Sequence, residues 1–213
     1  MVKDRATIYL VHHSLTPGDG TAREVVHGWN GDGITAEGKS LLKKTADYLS
    51  DKNIGETYSS DLTRSVQTAE EIRRLLAIDH PNTERRGLRP MDIGVYAGLP
   101  KTEVEDALED LRSRRWAKAP GGESYGKFLG RYGQELHRTI QEALGEEYNC
   151  AYVTHSHNFG ATPHLLSGGT APTSLAGDVS EGGVALLHVS GSGRHVAYEP
   201  VFDPQKERDQ GEV

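Results

Sequence analysis

The run Ile8-Tyr9-Leu10-Val11, followed at once by His12-His13-Ser14, constrains this chain more than any other stretch. An unbroken apolar segment, rich in β-branched and aromatic side chains, predicts a strand buried on both faces of its sheet. Such a sheet must be covered by helices on both sides, which points to an α/β architecture. In open α/β sheets ligands sit outside the carboxyl ends of the strands, and this carboxyl end carries two imidazoles. Alone, the pair reads as surface histidines opening a polar loop. A second copy changes the balance. Cys150-Ala151-Tyr152-Val153-Thr154 is another short buried-strand candidate, and it too runs into histidine, in His155-Ser156-His157. Two strands of one sheet, each delivering a histidine at its carboxyl end, bring two imidazoles into one crevice.

The rest of the chain alternates helical and strand patterns from residue 6 to 190, which predicts a three-layer α/β/α sandwich with a largely parallel central sheet. Thr35 is placed to cap a helix from about Ala36 to Asp51, with Leu41, Leu42, Thr45, Tyr48 and Leu49 as its apolar stripe. Gly55 is expected to break it. Glu56 to Ser59 reads as a strand, after which Ser60 or Asp61 caps a helix carrying Leu62, Val66, Ala69, Ile72 and Leu76 at three- and four-residue steps. Thr102 to Arg115 is a charged helix with Val104, Leu108 and Leu111 inward, and Ser124 caps a longer one through Leu144. Gly183–Val189 and His195–Val201 read as two strands joined at Gly191-Ser192-Gly193. Residues 203–213 read as a charged, disordered tail, leaving 1–213 as a single domain.

Arg64 falls in the first turn of its helix, just after a strand. A cation there opposes the helix dipole; Arg64 is either an ordinary solvated arginine on the polar face or, with the helix terminus, the holder of an anion such as phosphate, and the two histidines add weight to the second. The segment Thr16 to Gly33, polar and rich in glycine, is a loop long enough to be functional. Trp29 within it is equally a lid anchor or a patch of core.

These residues carry a resemblance. Ile8 to Ser14 is similar to the opening strand and Arg-His-Gly signature of the histidine phosphatase (phosphoglycerate mutase-like) superfamily. Tyr58 to Ala69, reading Tyr-Ser-Ser-Asp-Leu-Thr-Arg-Ser-Val-Gln-Thr-Ala, closely resembles its Ser-Ser-x-Leu-x-Arg-x-x-Gln-Thr-Ala run. Ile34 to Gly38 resembles its Leu-Thr-x-x-Gly helix start, Met91 to Gly98 its Gly-x-x-x-Gly segment, Pro120 to Ser124 its Pro-x-Gly-Glu-Ser segment, and Val153-Thr154-His155 its closing histidine motif. The matches fall in family order.

The resemblance implies phosphatase-type phosphoryl transfer from a small phosphorylated substrate through a phosphohistidine, with no cofactor and no metal. His13 is the implied nucleophile, Arg64 the phosphate clamp, and His155 the group that stabilises the transferring phosphoryl. His12, Ser14, Glu123 and Ser156 join Arg64 as substrate-binding candidates. Two departures stand out. His12 occupies the place of an arginine and Ser14 that of a glycine, so a permanent guanidinium gives way to a group whose charge is conditional. Pro90 stands where the family's phosphatases usually carry a glutamate; Asp92, Glu123 or His157 is left as the acid, Asp92 preferred because it is nearest in sequence, or else the leaving group is good enough to need no acid. A catalytically impaired phospholigand-binding or regulatory protein, or a phosphomutase, is the alternative. A metal site from the paired histidines is weaker, because no carboxylate–histidine signature accompanies them.

Composition trims the remaining classes. A formal charge of −7 argues against a general nucleic-acid binder. No apolar run approaches the roughly 20 residues of a membrane span, and no signal-like segment opens the chain. A single cysteine, Cys150, rules out an internal disulfide and reads as a buried core thiol. A cytoplasmic setting is the expectation.

Overall fold

The computed structural model describes residues 5–22, 24–174, 177–190 and 196–206. Its centre is a six-stranded sheet of β1 (Arg5–His12), β2 (Ile54–Ser59), β3 (Thr83–Glu84), β4 (Asn149–Thr154), β5 (Val184–Ser190) and β6 (Val196–Phe202), ordered β3-β2-β4-β1-β5-β6. The pairings β3–β2, β2–β4 and β4–β1 are parallel, whereas β1–β5 and β5–β6 are antiparallel. The sheet is therefore parallel over its first four strands and finishes in an antiparallel pair.

The predicted two-faced burial has a direct cause in the period-2 geometry of strands. Ile8 and Leu10 of β1 and Cys150 and Tyr152 of β4 enter one core, together with Phe128, Tyr132 and Leu136 of α4 (Tyr125–Gly145). Tyr9, Val11, Ala151 and Val153 enter the other, with Leu42 and Leu49 of α1 (Ala36–Leu49) and Ala69 and Ile72 of α2 (Thr63–Leu75). Helices α3 (Lys101–Ser113) and α5 (Ser156–Leu166) complete the set. Three layers result, as the sequence pattern implies. Val104, Leu108 and Leu111 face inward from α3, and Cys150 is buried, its thiol pushed up to about 12 by desolvation. No helix among the described residues is long and apolar enough to cross a membrane.

Local chemistry accounts for most boundaries. The Thr35 hydroxyl accepts from the Gly38 N–H at 2.9 Å, and the Ser124 hydroxyl from the Lys127 N–H at 3.3 Å, so both N-caps act as expected. Three expectations need correction. Helix α1 stops at Leu49, and the chain then turns at Asn53, in the left-handed region at φ 50°; Gly55 instead lies inside β2. Glycine is required there because a Cβ would stand 2.3 Å from the Tyr148 ring. Helix α2 has no side-chain cap: Leu62 precedes it, Asp61 is drawn off by Arg89 at 2.7 Å, and Ser60 faces His155. The presumed tail begins with order, since Asp203 accepts from the Ser180 hydroxyl at 2.6 Å. The turn at Gly191-Ser192-Gly193 and residues 207–213 lie outside the described residues.

Candidate active site

The parallel register of β1 and β4 builds the site. His12 lies opposite Thr154, and the His13 N–H donates to the Thr154 carbonyl at 3.0 Å, so the next residues along, His13 and His155, emerge side by side. Their ring centroids are 5.0 Å apart, and the His12 and His13 rings are 4.7 Å apart. All three line a cavity of about 800 Å³ that also takes in Arg64, Pro90, Ser156 and His157.

Hydrogen bonding decides the histidine tautomers. His13 Nδ1 lies 3.0 Å from the Ser14 carbonyl and His12 Nδ1 lies 2.8 Å from the Val179 carbonyl. A carbonyl only accepts, so both Nδ1 atoms carry the proton and both Nε2 atoms are left as lone pairs in the neutral ring. Burial makes neutrality the favoured state. Desolvation, then the His12 and Arg64 charges, hold His13 well below the ordinary histidine range. His155 is held well below it by desolvation, Arg64 and His13, and desolvation also pushes His157 down to about 4. His12 is lowered by burial as well, opposed chiefly by Glu181. The conditional charge expected at His12 is therefore absent at neutral pH.

Arg64 is 2% exposed and pushed down by burial to about 10, which leaves it fully charged at neutral pH. Its Nη1 donates to the Asn30 carbonyl and its Nη2 to the Gly28 carbonyl, each at 2.8 Å. Gly28 can hold that carbonyl in place because it sits at φ +51° and a Cβ would stand 2.6 Å from Ile93. The Nε of Arg64 and the Nδ1 of His155 are buried without a partner. Orphaned buried donors are costly, and here both belong to walls of one cavity. His155 Nε2 is engaged by two hydroxyls, Ser60 at 2.8 Å and Ser65 at 3.2 Å. The amino end of α5, with Ser156 and His157 in its first turn, adds a helix N-terminus to the same floor.

Not every expected residue joins this group. The Ser14 hydroxyl is fully buried and donates to the Gly38 carbonyl at 2.9 Å, turned into α1 rather than the cavity. Asp92 accepts from the Gly94 N–H at 3.0 Å, closing a local turn, and does not line the cavity. Glu123 accepts from Arg131 at 2.6 Å and from the Asp92 N–H at 3.1 Å, and it too lies off the wall. His157 does reach the cavity, but with its pKa near 4 it has no proton to give at neutral pH. Sequence reasoning missed Ser60 and Ser65 as partners of His155, although both fall inside the Tyr58–Ala69 motif. Trp29 proves to be an anchor: its Nε1 donates to the Pro90 carbonyl at 2.8 Å, and the Arg89 guanidinium lies 4.6 Å over its ring.

The chain is similar to known proteins in sequence and in fold. The chain is 27% identical over 172 residues to a probable phosphoglycerate mutase GpmB of Salmonella choleraesuis, covering 77% of this chain and 70% of that one. It is 29% identical over 131 residues to the human 6-phosphofructo-2-kinase/fructose-2,6-bisphosphatase 4, a match that takes in 58% of this chain but only 25% of that protein. Among solved structures, the phosphoglycerate mutase from Bacillus anthracis superposes with a TM-score of 0.78 at 18% identity, covering 98% of each chain. A mycobacterial glucosyl-3-phosphoglycerate phosphatase does so at 0.72 and 16%, covering 94% of this chain and 99% of that one. At such identity these structures speak for the fold alone. The family model of the histidine phosphatase superfamily (branch 1) matches residues 8–198, from within β1 to within β6, and the chain belongs to that superfamily.

Proposed function

We propose that this chain is a single-domain phosphatase that moves the phosphoryl group of a small phosphorylated substrate onto His13 and then to water. The observation that carries the reading is the His13 tautomer. With Nδ1–H committed to the Ser14 carbonyl, the Nε2 lone pair is the ring's free nitrogen, on the wall of the cavity that also holds Arg64 and His155. A neutral imidazole is the nucleophilic form, and burial keeps it neutral at physiological pH.

The step balances as follows. Nε2 of His13 forms a bond to phosphorus as the ester P–O bond breaks. Arg64 and the N-terminus of α5 take up charge on the equatorial oxygens, and His155 Nδ1, its Nε2 satisfied by the Ser60 and Ser65 hydroxyls, donates to them. The leaving oxygen takes its proton from the wet mouth of the cavity, since Asp92 and Glu123 face elsewhere. Water then attacks phosphorus, the P–N bond breaks, and inorganic phosphate departs. Every group used is a side chain or backbone N–H of this chain, so the scheme calls for no metal and no cofactor. The superfamily relatives named above are phosphatases or mutases, which supports an enzyme.

A second reading has specific observations in its favour. Pro90 carries no proton, His12 is no permanent cation, and both terminal nitrogens of Arg64 are already held by loop carbonyls. These fit a protein that binds a phospholigand and turns it over slowly. A panel of phosphate monoesters, with rapid quench and trapping of labelled protein, separates the two. Turnover with a phosphohistidine intermediate supports the phosphatase; saturable phosphate binding without either supports the binding protein.

A further inference from the structure

The mouth of the cavity has the wrong sign for an ordinary anionic metabolite. Among the described residues, eight carboxylates and two fixed cations, Arg64 and Lys101, line the cavity as a whole; Glu109 is paired with Arg112 and Asp203 with Lys206, which leaves six carboxylates against those two cations. Floor histidines do not redress this, since burial keeps them neutral at physiological pH. The carboxylates come from three elements that meet at the rim: Glu24 from the long loop, Glu105 and Asp106 from α3, and Asp178 and Glu181 from the loop before β5.

Lys101 offsets only part of them. Its ammonium bonds Glu24 at 2.9 Å, and Glu105 and Glu181 lie near enough to raise its pKa further behind that bond. One cation thus stands among three carboxylates. Asp178 accepts from the Tyr198 hydroxyl at 2.6 Å and Glu181 from the Gln205 amide at 3.0 Å. Those bonds fix the carboxylates in place without neutralising them. Glu105 and Asp106 are exposed on α3.

The cavity floor points to a ligand independently of this rim. Arg64 is 2% exposed with Nε unpartnered, and His155 is 2% exposed with Nδ1 unpartnered, and both line the same cavity. An anion is wanted at the floor and a cation at the mouth. No three histidine, cysteine or acidic side chains among the described residues are grouped as a metal shell, so the mouth suits an extended organic cation rather than a coordinated metal ion.

We infer that the substrate is a phosphomonoester whose leaving alcohol carries a positively charged ammonium group, with the phosphate on Arg64 and the ammonium against Glu105, Asp106 and Glu181. This rests on the phosphatase reading above and narrows it to a zwitterionic substrate class. The field of the rim repels an ester whose leaving group is a second anion, and attracts one whose far end is cationic.

The test measures kcat/KM at pH 7.5 for four esters that differ beyond the phosphate: phosphocholine, glycerol 3-phosphate, 3-phosphoglycerate and p-nitrophenyl phosphate. The expected order is phosphocholine over glycerol 3-phosphate over 3-phosphoglycerate. One unscreened charge at close range in water is worth about fivefold, so the two ends of the series should differ by about tenfold or more. The gap should shrink at 0.5 M salt, where screening falls to a few ångströms. The variant Glu105→Gln/Glu181→Gln keeps side-chain shape while removing two charges, and it should bring the phosphocholine to glycerol 3-phosphate ratio, about fivefold in the parent protein, down towards one. Equal or reversed ranking, with p-nitrophenyl phosphate still hydrolysed, overturns the substrate class and leaves the phosphatase reading standing. A ratio unmoved by salt and by the double variant overturns the electrostatic basis. No turnover of any of the four removes the phosphatase reading and this inference with it.

Discussion

Acidifying the protein should destabilise it between pH 7.5 and 5.5, for a reason located in the histidines of the candidate active site. His13, His155 and His157 all have pKa values pushed down in the folded state, first by desolvation. In the unfolded chain each returns to about 6.5. Below that pH the unfolded state binds protons that the folded state refuses, so stability is fully present above pH 6.5 and is lost as pH falls towards the folded pKa values. Between pH 7.5 and 5.5 each such group costs about 1.4 kcal/mol, so the three together cost about 4 kcal/mol. For His157 the loss continues down to a pKa of about 4. Against a typical total of roughly 5–15 kcal/mol this is a large fraction. The assay is urea unfolding at pH 7.5 and 5.5. With a slope of about 2 kcal/mol/M the midpoint should fall by about 2 M. Replacing one member, His157→Gln, should remove about one proton from that dependence. Carboxylates such as Asp61, lowered by its bond from Arg89, lose their contribution only at lower pH. Equal midpoints at both pH values would refute the reasoning, because the histidines would then be as protonated folded as unfolded.

Other expectations concern single residues. Arg64→Ala should weaken vanadate binding by about 1.5–3 kcal/mol, the range for hydrogen bonds to a charged group, read by inhibition titration; unchanged affinity would place the anion elsewhere. Glu135→Leu should cost about 1.5–3 kcal/mol in urea unfolding, the range for a hydrogen bond to a charged group, because the Arg85 side chain, 5% exposed, loses Glu135 at 3.1 Å but keeps Glu142 at 2.7 Å; an unchanged midpoint would contradict the pairing. Cys150, its thiol pushed up to about 12, should resist alkylation in the native protein at pH 8 and react only on unfolding; labelling at the rate of a free thiol would contradict the burial.

Much of this was legible in the sequence, and the gaps have physical causes. Strand burial shows because both faces of β1 and β4 are apolar, and helix faces show because Val104, Leu108 and Leu111 keep a 3.6-residue period. The crevice itself follows from two strand ends. Side-chain direction is not encoded in that way. Asp92, nearest in sequence to the expected acid, closes a turn on Gly94, and Glu123 is bound by Arg131. Ser14 turns away because the Gly38 carbonyl of α1 lies 2.9 Å from its hydroxyl, a contact between segments 24 residues apart. The charge of the mouth was hidden for the same reason: Glu24, Glu105 and Glu181 share a rim only once the chain is folded.

The central claim is that His13 Nε2 takes the phosphoryl group. Brief incubation with a ³²P-labelled phosphomonoester, followed by quenching in base or in acid, tests it most directly. The account predicts label that survives base, is lost in acid, maps to the peptide carrying His13, and is absent from His13→Ala with its fold intact. Label on another residue, or full turnover by His13→Ala, would contradict it.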